Sequence, residues 1–310
     1  MSKAIVITLI CAGLALGCAG AFAQQPRPDA AIGATDQPLV ASSEAAPSRV
    51  TFQSLDGKTA LVGYLFTPAG GPRGRRPAIV MMHGRAGPYS SAAKGRYDET
   101  TLSKRHAAWG EYWAGQGYVA LLVDSFGPRG YPQGFPIHSY DTRPEVVNEV
   151  TVRPFDAYGA LAYLRTLDLV DPSRIALQGW SNGGSATLAT MSDAVLAESR
   201  EAVKQGFVGA VAFYPACTLH DRFAAGYRPY APVRVFSGDN DEEVSFKRCA
   251  ELVDNSAKTG GTISMDIFPG ATHGFDDPGD KRQRRAANRR ATDIAIERTR
   301  RFFAQLFGRT

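Results

Sequence analysis

Arg174-Ile175-Ala176-Leu177-Gln178-Gly179-Trp180-Ser181-Asn182-Gly183-Gly184 decides how this chain folds. Residues 174–178 predict a strand, and residues 185–196, beyond the glycines, predict a helix. Between them stands G-x-S-x-G. The glycines let the chain turn sharply from strand to helix. That turn lifts the Ser181 hydroxyl above the sheet edge and aims the positive end of the helix at it. The plain alternative is a chance glycine–serine turn. The strand before and the helix after favour a nucleophile.

Working outward, the same alternation repeats. Residues 78–82, 118–123, 208–214, 233–236 and 263–268 are apolar runs, each closed by a polar or turn residue (His83-Gly84, Asp124, Pro215, Gly238, Pro269-Gly270). Unbroken apolar runs suit strands buried on both faces of a parallel sheet. Helical patterns fall between them at 107–116, 156–167, 246–259 and 291–307. Ala157, Leu161 and Leu164 show the spacing in the second of these. Residues 50–54 and 61–67 flank Asp56-Gly57 and predict an antiparallel hairpin. The expectation is an α/β chain: a mostly parallel twisted sheet, helices on both faces, and an N-terminal antiparallel hairpin. Neither an internal repeat nor a second-domain boundary is visible, so residues 49–310 are read as one domain.

Composition agrees with that reading. The 310 residues are 44% hydrophobic and 21% charged, with a formal charge of +5. The mild charge sets no expectation of nucleic-acid binding. Nine Lys or Arg residues crowd residues 281–301. They read as the wet face of an amphipathic helix whose Ile294, Phe302 and Leu306 face the core. Lys3, the apolar run 4–16 and Ala21-Phe22-Ala23 predict a signal peptide over 1–23, cut before Gln24. The run is too short for a comfortable membrane span, so stable insertion after cleavage is not expected. Lipidation at Cys18 is the alternative fate. Residues 24–48, rich in Ala, Pro, Gln and Asp, read as a disordered leader. The protein is therefore expected to be exported, to the periplasm or the medium. There, Cys217 and Cys249 either form a disulfide or remain two buried thiols.

A serine hydroxyl needs a base, and the base needs an orienting acid. Where this elbow serves catalysis, the acid and then the histidine follow the serine along the chain. His220 and His273 are the histidines after Ser181. His273, in Ala271-Thr272-His273-Gly274-Phe275, follows the last strand and is the expected base. His220 reads as a surface or pocket-rim residue. Of the acids in Gly238-Asp239-Asn240-Asp241-Glu242-Glu243, Asp241 is the expected partner, and Asp239 is expected to shape the turn. The cluster lacks the glycine and distal glutamate of a calcium loop, so no metal is expected. The backbone amides of Asn182 and Arg85 are the expected oxyanion donors, with His83 bracing the Arg85 loop.

MMHGRAG, VDSFGPRG, the helix beginning Arg153-Pro154-Phe155-Asp156-Ala157, GWSNGG, GDND and ATHGF together resemble the dienelactone hydrolase family of α/β-hydrolases, over about residues 50–307. The best-known members carry a cysteine where this chain has Ser181. The likeness is to the exported branch with a serine triad. It implies the α/β-hydrolase fold and cleavage of a carboxylic ester or lactone without a cofactor. It also implies an arginine near the site for an anionic substrate. Arg129 is the candidate, with pairing to a nearby acid as its alternative. The Arg85 side chain is a second candidate. Trp180 and Phe275 flank the catalytic groups and are read as substrate-pocket walls or as core.

The expected chemistry is acyl transfer. His273 takes the Ser181 proton, Asp241 holds the imidazole, and water releases the acyl group. A peptidase or carbohydrate acetyl-esterase on the same fold is the first rival, and a non-catalytic binding protein the second. The expected partner is a small-molecule ester or lactone, with no nucleic acid. The chain is expected to be a monomer or small homo-oligomer.

Overall fold

In the computed structural model, which describes residues 46–70 and 74–308, every apolar run above becomes a strand. The predicted signal peptide, Cys18 and the leader up to residue 45 lie outside the described residues. The chain enters through β1 (Ser48–Gln53) and β2 (Ala60–Phe66), which pair antiparallel. Asp56 closes their turn, accepting from the amides of Lys58 at 2.8 Å and Thr59 at 2.9 Å. Strand and helix then alternate: β3 (Arg76–Met82), α1 (Lys104–Gly115), β4 (Val119–Asp124), α2 (Arg153–Arg165), β5 (Val170–Trp180), α3 (Asn182–Met191) and α4 (Asp193–Val203). The chain continues through β6 (Ala210–Phe213), β7 (Val233–Gly238), α5 (Phe246–Lys258), β8 (Ile263–Phe268), the short α6 (Asp280–Gln283) and α7 (Ala286–Leu306).

The strands form one sheet in the order β1-β2-β4-β3-β5-β6-β7-β8. From β4 to β8 every neighbouring pair is parallel, and β2 joins β4 antiparallel. Alternate side chains of the strands feed two cores. Val80, Leu121, Leu177 and Val235 pack with Leu161 and Leu164 of α2 and Leu188 of α3. Ile79, Leu122, Ala176 and Val211 pack on the other face with Trp109 and Trp113 of α1 and Phe303 of α7. A parallel sheet needs this cover on both faces, which is why its strands read as unbroken apolar runs.

Two details depart from the sequence expectation. Residues 185–196 do not form one helix: Ser192 takes an extended conformation (φ −63°, ψ 136°) and separates α3 from α4. The buried face of α7 is carried by Ala291, Ala295, Ile296 and Phe303, while Ile294, Phe302 and Leu306 are only partly buried.

Candidate active site

Ser181 sits between β5 and α3 with φ 54° and ψ −117°, a conformation that a side-chain-bearing residue adopts only under constraint. The constraint is visible. The Ser181 amide donates to Phe213 O at 2.9 Å, fastening the elbow to β6. A Cβ on Gly183 would stand 2.0 Å from Met82 O, so only glycine lets the start of α3 pass the end of β3. The strained serine is thus clamped between two neighbouring strands.

Three chain ends meet there. His273, after β8, places Nε2 2.9 Å from Ser181 Oγ. Its Nδ1 lies 2.8 Å from one oxygen of Asp241 and 3.1 Å from the other. The carboxylate fixes the proton on Nδ1, which leaves Nε2 free to accept from the serine hydroxyl. Asp241 is itself held, its Oδ1 accepting from the amides of Glu243 at 2.8 Å and Val244 at 2.9 Å. The ring of Tyr214 lies against the imidazole, with centroids 4.7 Å apart.

The two acids after Asp241 also serve the histidine. Glu242 accepts from the His273 backbone amide at 3.0 Å and pairs with Arg282. Glu243 brings its Oε2 to 3.6 Å from Nε2 and accepts from Arg85 Nε and Nη2, each at 3.0 Å, while Arg85 Nη1 donates to Phe135 O. Burial opposes its charge, but the Arg85 hydrogen bonds and the adjacent His273 hold its carboxyl below the usual range. Asp239 behaves as a turn residue, accepting from the Gly270 amide.

Both segments expected to supply oxyanion amides lie beside the elbow. Asn182 is the first residue of α3, where helix geometry leaves the N–H without an intrahelical partner. The Arg85 loop presses on the elbow, since a Cβ on Gly84 would stand 3.4 Å from Ser181 Cβ. His83 braces that loop as expected, with Nδ1 2.7 Å from Gly84 O and Nε2 accepting from the Ser125 amide at 3.2 Å. Complete burial, reinforced by the Arg153 charge, holds its pKa well below the ordinary histidine value. The imidazole is therefore neutral, as its accepting Nε2 requires.

Arg153 escaped the sequence reading. Its fully buried guanidinium donates to His83 O at 2.8 Å and to the Asn182 side chain, tying the two oxyanion segments together. Burial pulls its pKa down to about 10. Only its place at the head of α2 hinted at this, because its partners lie 70 and 29 residues away.

The three substrate-binding assignments are corrected. Arg129 is spent on Asp156 through two contacts of 2.8 Å, on Asp56 at 2.9 Å and on Ser125 O at 2.8 Å, so no arm is left for a substrate carboxylate. Trp180 and Phe275 are fully buried core residues, because both lie under the sheet end with the aromatic cluster of α1 and β6. The Trp180 indole donates to Asp276 at 2.8 Å. The Arg85 side chain is likewise occupied by Glu243. Cys217 and Cys249 are joined by a disulfide. It borders a cavity of about 380 Å³ that shares Glu243 with the site and includes Tyr140, Glu149, His220 and Arg248. His220 sits at this rim, 3.0 Å from Glu149.

Among the described residues no group of three His, Cys, Asp or Glu side chains is arranged to hold a metal ion. No described helix is long and apolar enough to cross a membrane.

A mostly parallel eight-stranded sheet carrying a serine elbow after β5, an acid after β7 and a histidine after β8 is an α/β-hydrolase. Solved structures agree on the fold. A Klebsiella pneumoniae protein described as a dienelactone hydrolase superposes with a TM-score of 0.61 at 16% identity, over 83% of this chain and 99% of its own. Esterase 2 of Thermogutta terrifontis, in a form phosphorylated by paraoxon, gives 0.59 at 22% identity, over 84% of this chain and 95% of its own. The chain belongs to the dienelactone hydrolase family, whose model matches residues 61–307, and with it to a family of ester hydrolases. A curated relative, the quorum-quenching protein AidA of Acinetobacter baumannii, is 30% identical over 179 residues. That match covers 56% of this chain and only half the length of the relative.

Proposed function

We propose that the protein hydrolyses a carboxylic ester or lactone through an acyl-enzyme on Ser181. The observation that carries this reading is the unbroken chain from Ser181 Oγ to His273 at 2.9 Å and on to Asp241 at 2.8 Å. His273 removes the hydroxyl proton as Oγ attacks the carbonyl. Asp241 stabilises the imidazolium that forms. The Arg85 and Asn182 amides receive the oxyanion, and water then frees the acyl group. The cavity beside Glu243 offers room for one arm of the substrate. Because one relative is named for quenching quorum signals, such signals belong in the substrate panel beside p-nitrophenyl esters, simple lactones and peptide amides. Replacing Ser181 by Ala is expected to lower kcat by about 10⁴-fold or more. Near-normal turnover by the folded variant would overturn the assignment.

We also propose export, on the strength of Lys3, the apolar run after it and the Ala21-Phe22-Ala23 site. Cleavage before Gln24 removes Cys11 and Cys18 and leaves Cys217 and Cys249. Their disulfide suits an oxidising compartment.

A further inference from the structure

Glu243 is a carboxylate that approaches the His273 ring and that the mechanism above leaves unused. Its side chain is only 8% exposed, and its Oε2 stands 3.6 Å from the same His273 nitrogen that receives the Ser181 proton. The turn around Asp241 fixes its backbone, and Arg85 uses one lone pair on each of its oxygens. A carboxylate has about four acceptor sites, so roughly two remain. A water oxygen about 2.8 Å from both Nε2 and Oε2 satisfies ordinary hydrogen-bond geometry, because the two acceptors are 3.6 Å apart.

We propose that Glu243 is a second acceptor for the deacylating water and commits the acyl-enzyme to hydrolysis over transfer to an alcohol. The inference rests on the acyl-enzyme at Ser181. Water has two O–H bonds. One proton passes to His273 Nε2 as the oxygen bonds to the acyl carbon; the other hydrogen is donated to Glu243 and stays on the oxygen. The tetrahedral intermediate then collapses, the carbon–Oγ bond breaks, and the Nε2 proton returns to Ser181. Glu243 stays ionised throughout. An alcohol has one O–H bond. Once that is given to Nε2, its alkyl group faces the carboxylate, and the second hydrogen bond is missing. The pair of acceptors therefore selects a nucleophile with two hydrogens.

The test is the fate of the acetyl group from p-nitrophenyl acetate in water containing methanol. Wild-type protein is expected to favour water, mole for mole, and a preference for methanol overturns the proposal without any variant. Glu243→Gln is expected to show a burst of p-nitrophenol followed by turnover about tenfold slower, the scale of one hydrogen bond to a charged group. Its ratio of methyl acetate to acetate should rise by about the same factor, while a fluorophosphonate still labels Ser181, which reports that the variant keeps its elbow. An unchanged ratio, or loss of labelling in the variant, overturns the proposal. Failure of the wild-type protein to label removes instead the Ser181 reading on which it rests.

Discussion

Asp276, whose side chain has no exposed surface, bonds to Tyr214, the residue whose ring lies against His273. One oxygen accepts from the indoles of Trp109 at 2.9 Å and Trp180 at 2.8 Å. The other accepts from the Tyr214 hydroxyl and lies 3.3 Å from Arg105 Nε. Replacing it by Ala strands three buried neutral donors and takes from Arg105 one of its two carboxylates, leaving Asp277 at 3.2 Å. Removing one partner of a buried ion pair costs about 3–5 kcal/mol, and an unsatisfied buried donor about 1–3 kcal/mol. The losses share one cavity and do not simply add, so about 5 kcal/mol is expected for Asp276→Ala. Asp276→Asn is different. Its carbonyl still receives both indoles and its amide donates to Tyr214, so the neutral donors keep partners and only the charge beside Arg105 is lost, as it is in Ala. About 2–3 kcal/mol is expected there. The melting temperature should fall by about 10–20 °C for Ala and less than half as much for Asn. Urea titration followed by tryptophan fluorescence measures both, since two of the three tryptophans bond to Asp276 directly. Equal losses in the two variants, or a loss under about 1 kcal/mol in the Ala variant, would refute the reasoning.

Acid should destabilise the protein through His106. Burial, with the Arg105 charge beside it, pushes the folded-state pKa down to about 3 from an ordinary value of 6.5. The unfolded chain then binds the proton that the folded one refuses. Stability is full above 6.5 and drains as pH falls toward 3, by about 1.4 kcal/mol per unit. Between neutral pH and pH ~5, wild type should lose about 2 kcal/mol more than His106→Gln in urea titrations; identical losses count against this. The disulfide closes a separation of 32 residues, and its removal in a Cys217→Ser, Cys249→Ser double variant should cost about 3–4 kcal/mol. Exported protein should begin at Gln24 and carry no free thiol. An intact Met1, or two reactive thiols, would contradict export.

The sheet was legible because burial on both faces leaves continuous apolar runs, and Ser181, Asp241 and His273 because each closes such a run. Charge pairing was not. Arg129 was placed on the catalytic side of the sheet by its strand, but its neutralisation by Asp156 depends on a helix 27 residues on. Glu243 reaches Arg85 across 158 residues, and Trp180 reaches Asp276 across 96. Sequence order says nothing about those distances. The break at Ser192 was hidden for a related reason: the Asp193 amide that starts α4 donates to Arg228 O, a partner from another loop. Local pattern specifies strands and turns. Buried charges reveal their partners only when the fold brings the chain ends together.

The glycine in Gly238-Asp239-Asn240-Asp241 shows how closely the contact of Ser181, His273 and Asp241 depends on one such meeting. Three strand steps separate β5 from β8, about 14 Å at the usual spacing. The five residues from Phe268 to His273 reach at most about 17 Å. The histidine can therefore return to Ser181 only by a nearly direct path over the ends of β7 and β6. That path is crowded. A Cβ on Gly238 would stand 2.0 Å from Ala271 O, and the Asn240 amide donates to the same oxygen at 3.1 Å. The Asp239 amide donates to Phe268 O at 3.2 Å, and its carboxylate accepts from Gly270 at 2.6 Å. The first two residues after β7 thus anchor the returning chain, and Asp239 is used up in doing so. Asp241 is the first acid beyond that crossing, which is why it, and not Asp239, faces the imidazole.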